Sequence, residues 1–253
     1  MERALFIAAG GMAAQQQNLD TIAANLANAD VAGFKGSVQQ FAELGAPGEP
    51  SLGTVALGER VLFTQGKLTR GGGPCDLAID GPGFLAVDDP RGGVAYVRGG
   101  AFARGADGAL RDERGLRLHG ITVPKDALSI SVSDDGTVRA GFAGGTRAIG
   151  TLKLYEFAAP ERLRATGGTL FEPSAGAGKP RAIEAGRPNG PAIRFGMLEQ
   201  SNVSIVEAMM QILSAQRAYE ANAKGVQAAD EMLRIGPRLV KRVFDRIISA
   251  RNP

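Results

Sequence analysis

The chain has no tryptophan, one cysteine and one histidine in 253 residues. Each scarcity removes a class of function. The lone thiol, Cys75, permits no intramolecular disulfide and no cysteine-based metal cluster. It stands between Pro74 and Asp76 with no histidine nearby in the sequence, which leaves a nucleophilic role without its base. His119, also alone, cannot supply the paired histidines of a zinc protease site. No G-x-S-x-G elbow accompanies it, and at the end of GLRLHG it reads as a strand-end residue. Long apolar runs are missing too: none approaches the ~18 residues that mark a membrane span. The opening MERALFIAAGGMAAQ resembles a secretory signal in its early arginine and short apolar stretch, but Gly10–Gly11 break the run and helical spacing continues beyond it.

Aromatic residues make up only 6% of the chain, and the charge is unevenly placed. The net charge of +3 comes from one end, where Arg234, Arg238, Lys241, Arg242, Arg246 and Arg251 face Asp245 alone. Outside that tail no basic face interleaved with stacking aromatics appears, so nucleic acid is not an expected partner. Glycine is the residue in excess, with 36 copies, about twice its usual share of ~7%. That balance favours turns and strands over a large helical core.

Helical periodicity is confined to the two ends. Leu5, Ala8, Met12, Gln15, Leu19, Ile22 and Leu26 are spaced three and four alternately, the 3.5-residue repeat of a coiled-coil seam. The seam is thin. Ala8 offers little area, Gln15 is polar, and Gly10–Gly11 cost about 1 kcal/mol each in a helix. An isolated helix of this length is marginal in water and needs a partner. The same repeat returns at Ile205, Met209, Ile212, Gln216, Tyr219, Ala223, Val226, Asp230 and Leu233, with Asn202 or Ser204 available as N-cap and Glu207 at the capping-box spacing from Ser204. Gly236–Pro237 predicts a break after it.

Between the ends the pattern changes to short alternating segments such as DLAID, GFLAVDD, VAYVRG, LSISVS and GTLKLYEF, parted by Asp-Gly and glycine-rich turns. This predicts an all-β region from about Gly73 to Phe195, with Pro160–Pro191 mostly loop. Residues 36–70 show no clear period and read as an extended connector. Two motifs in this region fail on inspection. GPGFLA fits the loose dinucleotide pattern but is followed by FLAVDDP, too short for the helix that a pyrophosphate requires. SDDGTV lacks the alternating ligands and closing glutamate of a calcium loop. No active site, metal site or cofactor site assembles from these residues.

NLANADVAGFKG, FTQGKLTRGGGPCDLAIDGPGFLAV, YVRGGAFARGADGALRDERGLRLHG and GMLEQSNVSIVEAMMQILSAQRAYEANAKGVQAADEML occur in this order. Together they resemble the bacterial flagellar rod and hook proteins over nearly the whole chain. Within that family AQRAYEANAKGVQAADEML looks most like the distal rod type, whereas the short stretch Phe41–Val61 is more like the proximal type. The motif departs from the family at Asp30-Val31-Ala32, where relatives usually carry Asn-Thr-Thr or Asn-Thr-Pro.

The resemblance implies a non-enzymatic structural subunit of the basal-body rod in the cell envelope, exported unfolded by the type III apparatus without a cleaved signal. It implies terminal helices that order on assembly into an inner tube, a β-rich outer layer, and contacts with other rod and hook proteins and with surrounding rings. The expected architecture is α+β. Residues 1–33 and 200–236 would form one helical assembly domain, 34–72 a connector, 73–199 the β domain and 237–253 a basic amphipathic extension whose apolar stripe runs from Leu239 to Ile248. Leu5, Met12, Leu19, Ile22 and Leu26 are expected to pack against Ile205, Met209, Ile212, Tyr219 and Val226 of the same and adjacent copies. Asn25 and Asn28 would bond helix ends or neighbouring backbone, and Gly33 would supply the turn. The rival from another class is a secreted β-rich enzyme or carbohydrate-binding module with helical arms, which needs a pocket of converging polar groups in the middle region.

Overall fold

A computed structural model of the chain describes residues 2–45, 51–89 and 92–249. The chain divides into two units. A helical unit comprises 1–24, 38–59 and 205–253; a β unit comprises 25–37 and 60–204. The architecture is α+β, with a helix at each end of the sequence and strands between.

Helix α1 (Glu2–Ala27) is followed by β1 (Ser37–Glu43) and β2 (Thr54–Val61), which pair with each other. This ribbon occupies much of the stretch expected to be an extended connector. It lies along α1 within the helical unit. Thr21, 2% exposed, donates its hydroxyl to Glu59 at 2.9 Å. Further along, Gly10 lies so close to the ribbon that a Cβ there would stand 3.5 Å from the Thr54 carbonyl oxygen, and one on Gly53 would stand 3.3 Å from the Ile7 backbone. Periodicity missed the ribbon because both its faces mix apolar and polar residues. A two-stranded ribbon is marginal alone, so the helix beside it is part of what holds it.

The β unit holds the remaining strands. These are β3 (Leu68–Arg70), β4 (Cys75–Asp80), β5 (Phe84–Asp88), β6 (Val94–Val97), β7 (Gly99–Arg104), β8 (Ala109–Asp112), β9 (Arg117–Thr122), β10 (Ser129–Val132), β11 (Thr137–Phe142) and β12 (Gly145–Thr151). After them come β13 (Leu154–Glu156), β14 (Arg164–Ala165), β15 (Phe171–Glu172), β16 (Arg181–Ile183), β17 (Ala192–Phe195) and β18 (Met197–Glu199). The principal sheet runs β14-β15-β6-β5-β9-β8-β7-β4-β17, with β13 paired to β5 and β16; β10-β11-β12 and β18-β3 form smaller sheets. The span expected to be mostly loop, Pro160–Pro191, is so, and contributes the short strands β14, β15 and β16. His119 lies inside β9 and not at its end, with Nδ1 2.7 Å from the Asp88 carboxylate on the neighbouring strand.

Strand β5 shows how alternation builds this core. Successive side chains point to opposite faces. Leu85 and Val87 enter a large aliphatic cluster with Leu77, Ile79, Leu118 and Ile193, while Phe84 and Ala86 enter a second, aromatic one. Six rings are gathered there, Phe63, Phe84, Tyr96, Tyr155, Phe157 and Phe171: Phe63 stands edge-on to Phe84 and Phe171 at 5.1 and 4.9 Å, and Tyr96 to Phe157 at 4.9 Å. Cys75 belongs to the aliphatic cluster, and burial pushes its thiol pKa up, which keeps it protonated and inert.

Helix α2 (Ile205–Ser249) starts directly after Ser204, at the position the capping spacing indicated, with Glu207 in its first turn. It does not break at Gly236–Pro237. The helix runs through both, at ~1.5 Å per residue a rod of roughly 68 Å. Pro237 has no N–H to give, so one rung of the ladder is missing without ending the helix. The apolar stripe expected from Leu239 to Ile248 lies outside the side chains described.

Candidate assembly surface and buried polar clasp

In the helical unit, α1 and α2 approach closely through small residues. A Cβ on Gly11 would stand 2.9 Å from the Asn222 amide nitrogen, and one on Gly225 would stand 3.8 Å from the Ala8 Cβ. Going from Gly11 back to Ala8 matches going from Asn222 on to Gly225, so the two helices run antiparallel. The deepest positions of α2 are Ala208, Ala215 and Ala229, each at most 4% exposed. Together with the half-buried Ile212, Tyr219 and Val226 they trace a heptad shifted from the one led by Ile205 and Met209. On α1, Ile22 is buried and Leu5, Met12, Leu19 and Leu26 are half-buried. Large side chains are thus only partly used by the pairing within one chain.

The unused ones are concentrated. Ile205, Val206, Met209, Met210 and Leu213 are 42–69% exposed, and 206, 209, 210 and 213 form one stripe of α2. Phe6 is 80% exposed, and the ribbon presents Phe41, Leu52 and Leu57. Among the described residues the exposed large apolar side chains of the β unit are Val31, Val94 and Leu128; all the others belong to the helical unit. An apolar surface of this extent marks an interaction site.

A second feature lies where the chain leaves α1 and where it returns to α2, within the β unit. Gly33, at φ +75°, takes the left-handed conformation that a side chain resists, and its N–H donates to the Glu199 carbonyl at 2.6 Å. Asn25 exchanges two bonds with the backbone of Ser37, 2.7 Å from its amide to the carbonyl and 2.9 Å from the N–H to its oxygen. Asn28 is half-buried and donates its N–H to the Asn25 carbonyl. Asn202 accepts from the Gly36 N–H at 2.8 Å and donates to the carbonyl of Leu62 at 2.7 Å.

At its centre Lys35 meets Glu199 at 2.7 Å and Arg98 meets the other oxygen of Glu199 at 3.1 Å, with both side chains of the first pair fully buried. Lys35 also donates to the Thr64 carbonyl, and Gly66 N–H donates to Glu199. Arg98 fills its remaining fork with the carbonyls of Gly83 and Gly81 and the side chain of Gln65. Burial is the main influence on Lys35 and lowers its pKa; the Glu199 carboxylate works against that. Periodicity could not reveal this clasp, because its charges lie far apart along the chain. The available signal was a lysine inside AGFKG and a glutamate inside GMLEQ, charges placed among glycine and apolar residues.

This arrangement binds chain segments to each other, and its polar groups are spent on that. Comparison with known proteins agrees. A model of the flagella basal body rod protein matches residues 5–35, the flagellar hook protein FlgE/F/G D1 domain matches 78–140, and the flagellar basal body rod FlgEFG protein C-terminal region matches 195–238. The flagellar basal-body rod protein FlgG of Borreliella burgdorferi is 36% identical across 96% of this chain and all of its own. The chain belongs to the FlgG family of flagellar basal-body rod proteins. FlgG of Agrobacterium fabrum is 34% identical over 94% of the chain and its full length, and FlgF of Mesorhizobium japonicum is 30% identical over 88% and 91%. The subunit is therefore a structural, non-enzymatic component of the flagellar basal body, of the distal rod type, its short connector notwithstanding. No helix among the described residues is long and apolar enough to cross a membrane.

Proposed function

We propose that the subunit polymerises through its helical unit into a helical tube that passes torque from motor to hook. The observation that carries this reading is the stripe Val206, Met209, Met210 and Leu213, left exposed on α2 beside the exposed Ile205. Burying each such side chain against a neighbouring copy contributes about 1.5–3 kcal/mol. Heterologous contacts repeated by an operator whose rotation does not close build an open helix in place of a ring. In the tube, Leu5, Met12, Leu19, Ile22 and Leu26 complete their burial against Ile205, Met209, Ile212, Tyr219 and Val226 of adjacent copies, while Asn25, Asn28 and Gly33 fix the exit of the chain. The same surface serves contacts with other rod and hook proteins; the β unit faces the surrounding rings, and the type III apparatus delivers the chain.

The test is Met209→Asp with Leu213→Asp. Charges at two exposed positions leave the monomer's β unit melting as before but remove the subunit from rods, so that cells are non-motile. Rods of normal length containing the doubly substituted chain would refute the assignment.

A further inference from the structure

The register of α1 against α2 leaves part of α2 without a helix beside it. Gly11 comes level with Asn222 and Ala8 with Gly225, and the helices run antiparallel, so Glu2, the first residue of α1, comes level with position 231. Helix α2 continues to Ser249. Residues 232–249 therefore extend about 27 Å past the end of α1, at ~1.5 Å per residue. This stretch includes Gly236 and Pro237, the two poorest helix formers, and a helical segment of such length is marginal in water without a surface to lie on.

The exposed large apolar side chains of α2 fall in two groups among the described residues. Ile205, Val206, Met209, Met210 and Leu213 open the helix; Met232 and Ile235, 54% and 52% exposed, stand where α1 has ended. Between Leu213 and Met232 no large apolar side chain described is exposed.

The two groups share a spacing. Val206, Met209 and Leu213 are three and four apart; Met232 and Ile235 are three apart, and Leu239 follows four later in the sequence, an offset of 26 residues throughout. Within one chain the groups cannot meet, because a single continuous helix holds them ~39 Å apart. Between chains they can. Copies related along a shaft by one screw operator keep α2 pointing the same way. A parallel neighbour displaced by that offset sets each apolar position against its counterpart, as along a coiled-coil seam.

We propose that the overhanging end of α2 lies along the opening stripe of α2 in the next copy of this chain, with Met232 and Ile235 against Val206 and Met209. This rests on the polymerisation reading above and specifies which segment of the neighbour covers the stripe. Each copy offers both halves of the contact, so it propagates from copy to copy as a rod requires. The family's C-terminal match stops at residue 238, and 239–249 lengthen the overhang beyond it.

Rods assembled from full-length chains carrying Met209→Cys and Ile235→Cys test it. Cys75 is 4% exposed and stays silent. Oxidation should convert these rods to a ladder of disulfide-linked dimers and higher species on denaturing gels. Rods pairing Ile235→Cys with Leu213→Cys, one turn out of register, should stay largely monomeric, since a disulfide needs Cβ atoms about 3.5–4.5 Å apart. Equal ladders from both pairs, or rods that form and give none, overturn the contact. Should the cysteine chains not assemble, Ile235→Asp and Met209→Lys replace them. Each alone should lower incorporation several-fold and the two together should restore it; loss without mutual rescue gives the overhang to another partner and overturns the proposal equally. Parental chains that never polymerise sink the assembly reading and this contact with it; parental rods with neither ladder nor rescue sink this contact alone.

Discussion

Replacing Glu199 by glutamine changes one atom and removes the only negative charge from a site that holds two cations. The carboxylate, with no exposed surface, accepts from Lys35 and Gly66 at one oxygen and from Arg98 at the other. A glutamine amide offers one acceptor and one donor, so either Arg98 or the Lys35–Gly66 pair must face an N–H. Removing one partner of a buried ion pair costs roughly 3–5 kcal/mol, because the remaining charge stays buried and uncompensated. For a unit of this size ~1 kcal/mol corresponds to ~2–4 °C, so the melting temperature should fall on the order of 10 °C. Calorimetry of the full chain measures it, with Glu156→Gln as comparison: its partner Arg181 is 77% exposed, and such surface pairs contribute at most ~1 kcal/mol. If the two variants melt together, the reasoning about the clasp is wrong.

Lys35→Met addresses pH. Burial holds the Lys35 ammonium below its ordinary value of 10.5, so the unfolded chain keeps that proton to higher pH than the folded one. Stability should therefore rise with pH between the lowered folded value and 10.5, and the methionine variant, facing the same Glu199 and Arg98, should lose that rise; parallel urea midpoints for the two proteins up to pH 10 would contradict this. Gly66→Ala would set a Cβ 1.9 Å from the Gln200 carbonyl oxygen, and the backbone there must shift. A loss at the upper end of the ~1–3 kcal/mol of overpacking is expected, against no more than ~0.5 kcal/mol for Gly72→Ala, whose Cβ would meet nothing, both read from denaturant midpoints.

Both helices and the β character of the middle were legible, because amphipathic repeats are local and turn residues declare themselves. Gly33 was legible for the same reason. The heptad on α2 was found in the right period but led by Ile205 and Met209, since large side chains dominate a pattern in which Ala208, Ala215 and Ala229 fill the inner positions of the single chain. The β1–β2 ribbon was hidden by its mixed faces. Gly236–Pro237 misled because local propensity alone does not decide whether a long helix continues. The clasp could not be assembled from the sequence: Lys35 and Glu199 stand out only as charges among glycine and apolar residues, and with Arg98 they meet only after the whole β unit has closed, which nothing in their spacing encodes.

The double allegiance of β5 has a consequence for how the subunit fails. With Leu85 and Val87 in one cluster and Phe84 and Ala86 in the other, neither cluster can be dismantled without taking the strand from its neighbour. The β unit should then come apart in a single cooperative step, without a half-open intermediate in which one cluster survives. For a shaft that turns under load, this means that local yielding is discouraged by the wiring of the core itself.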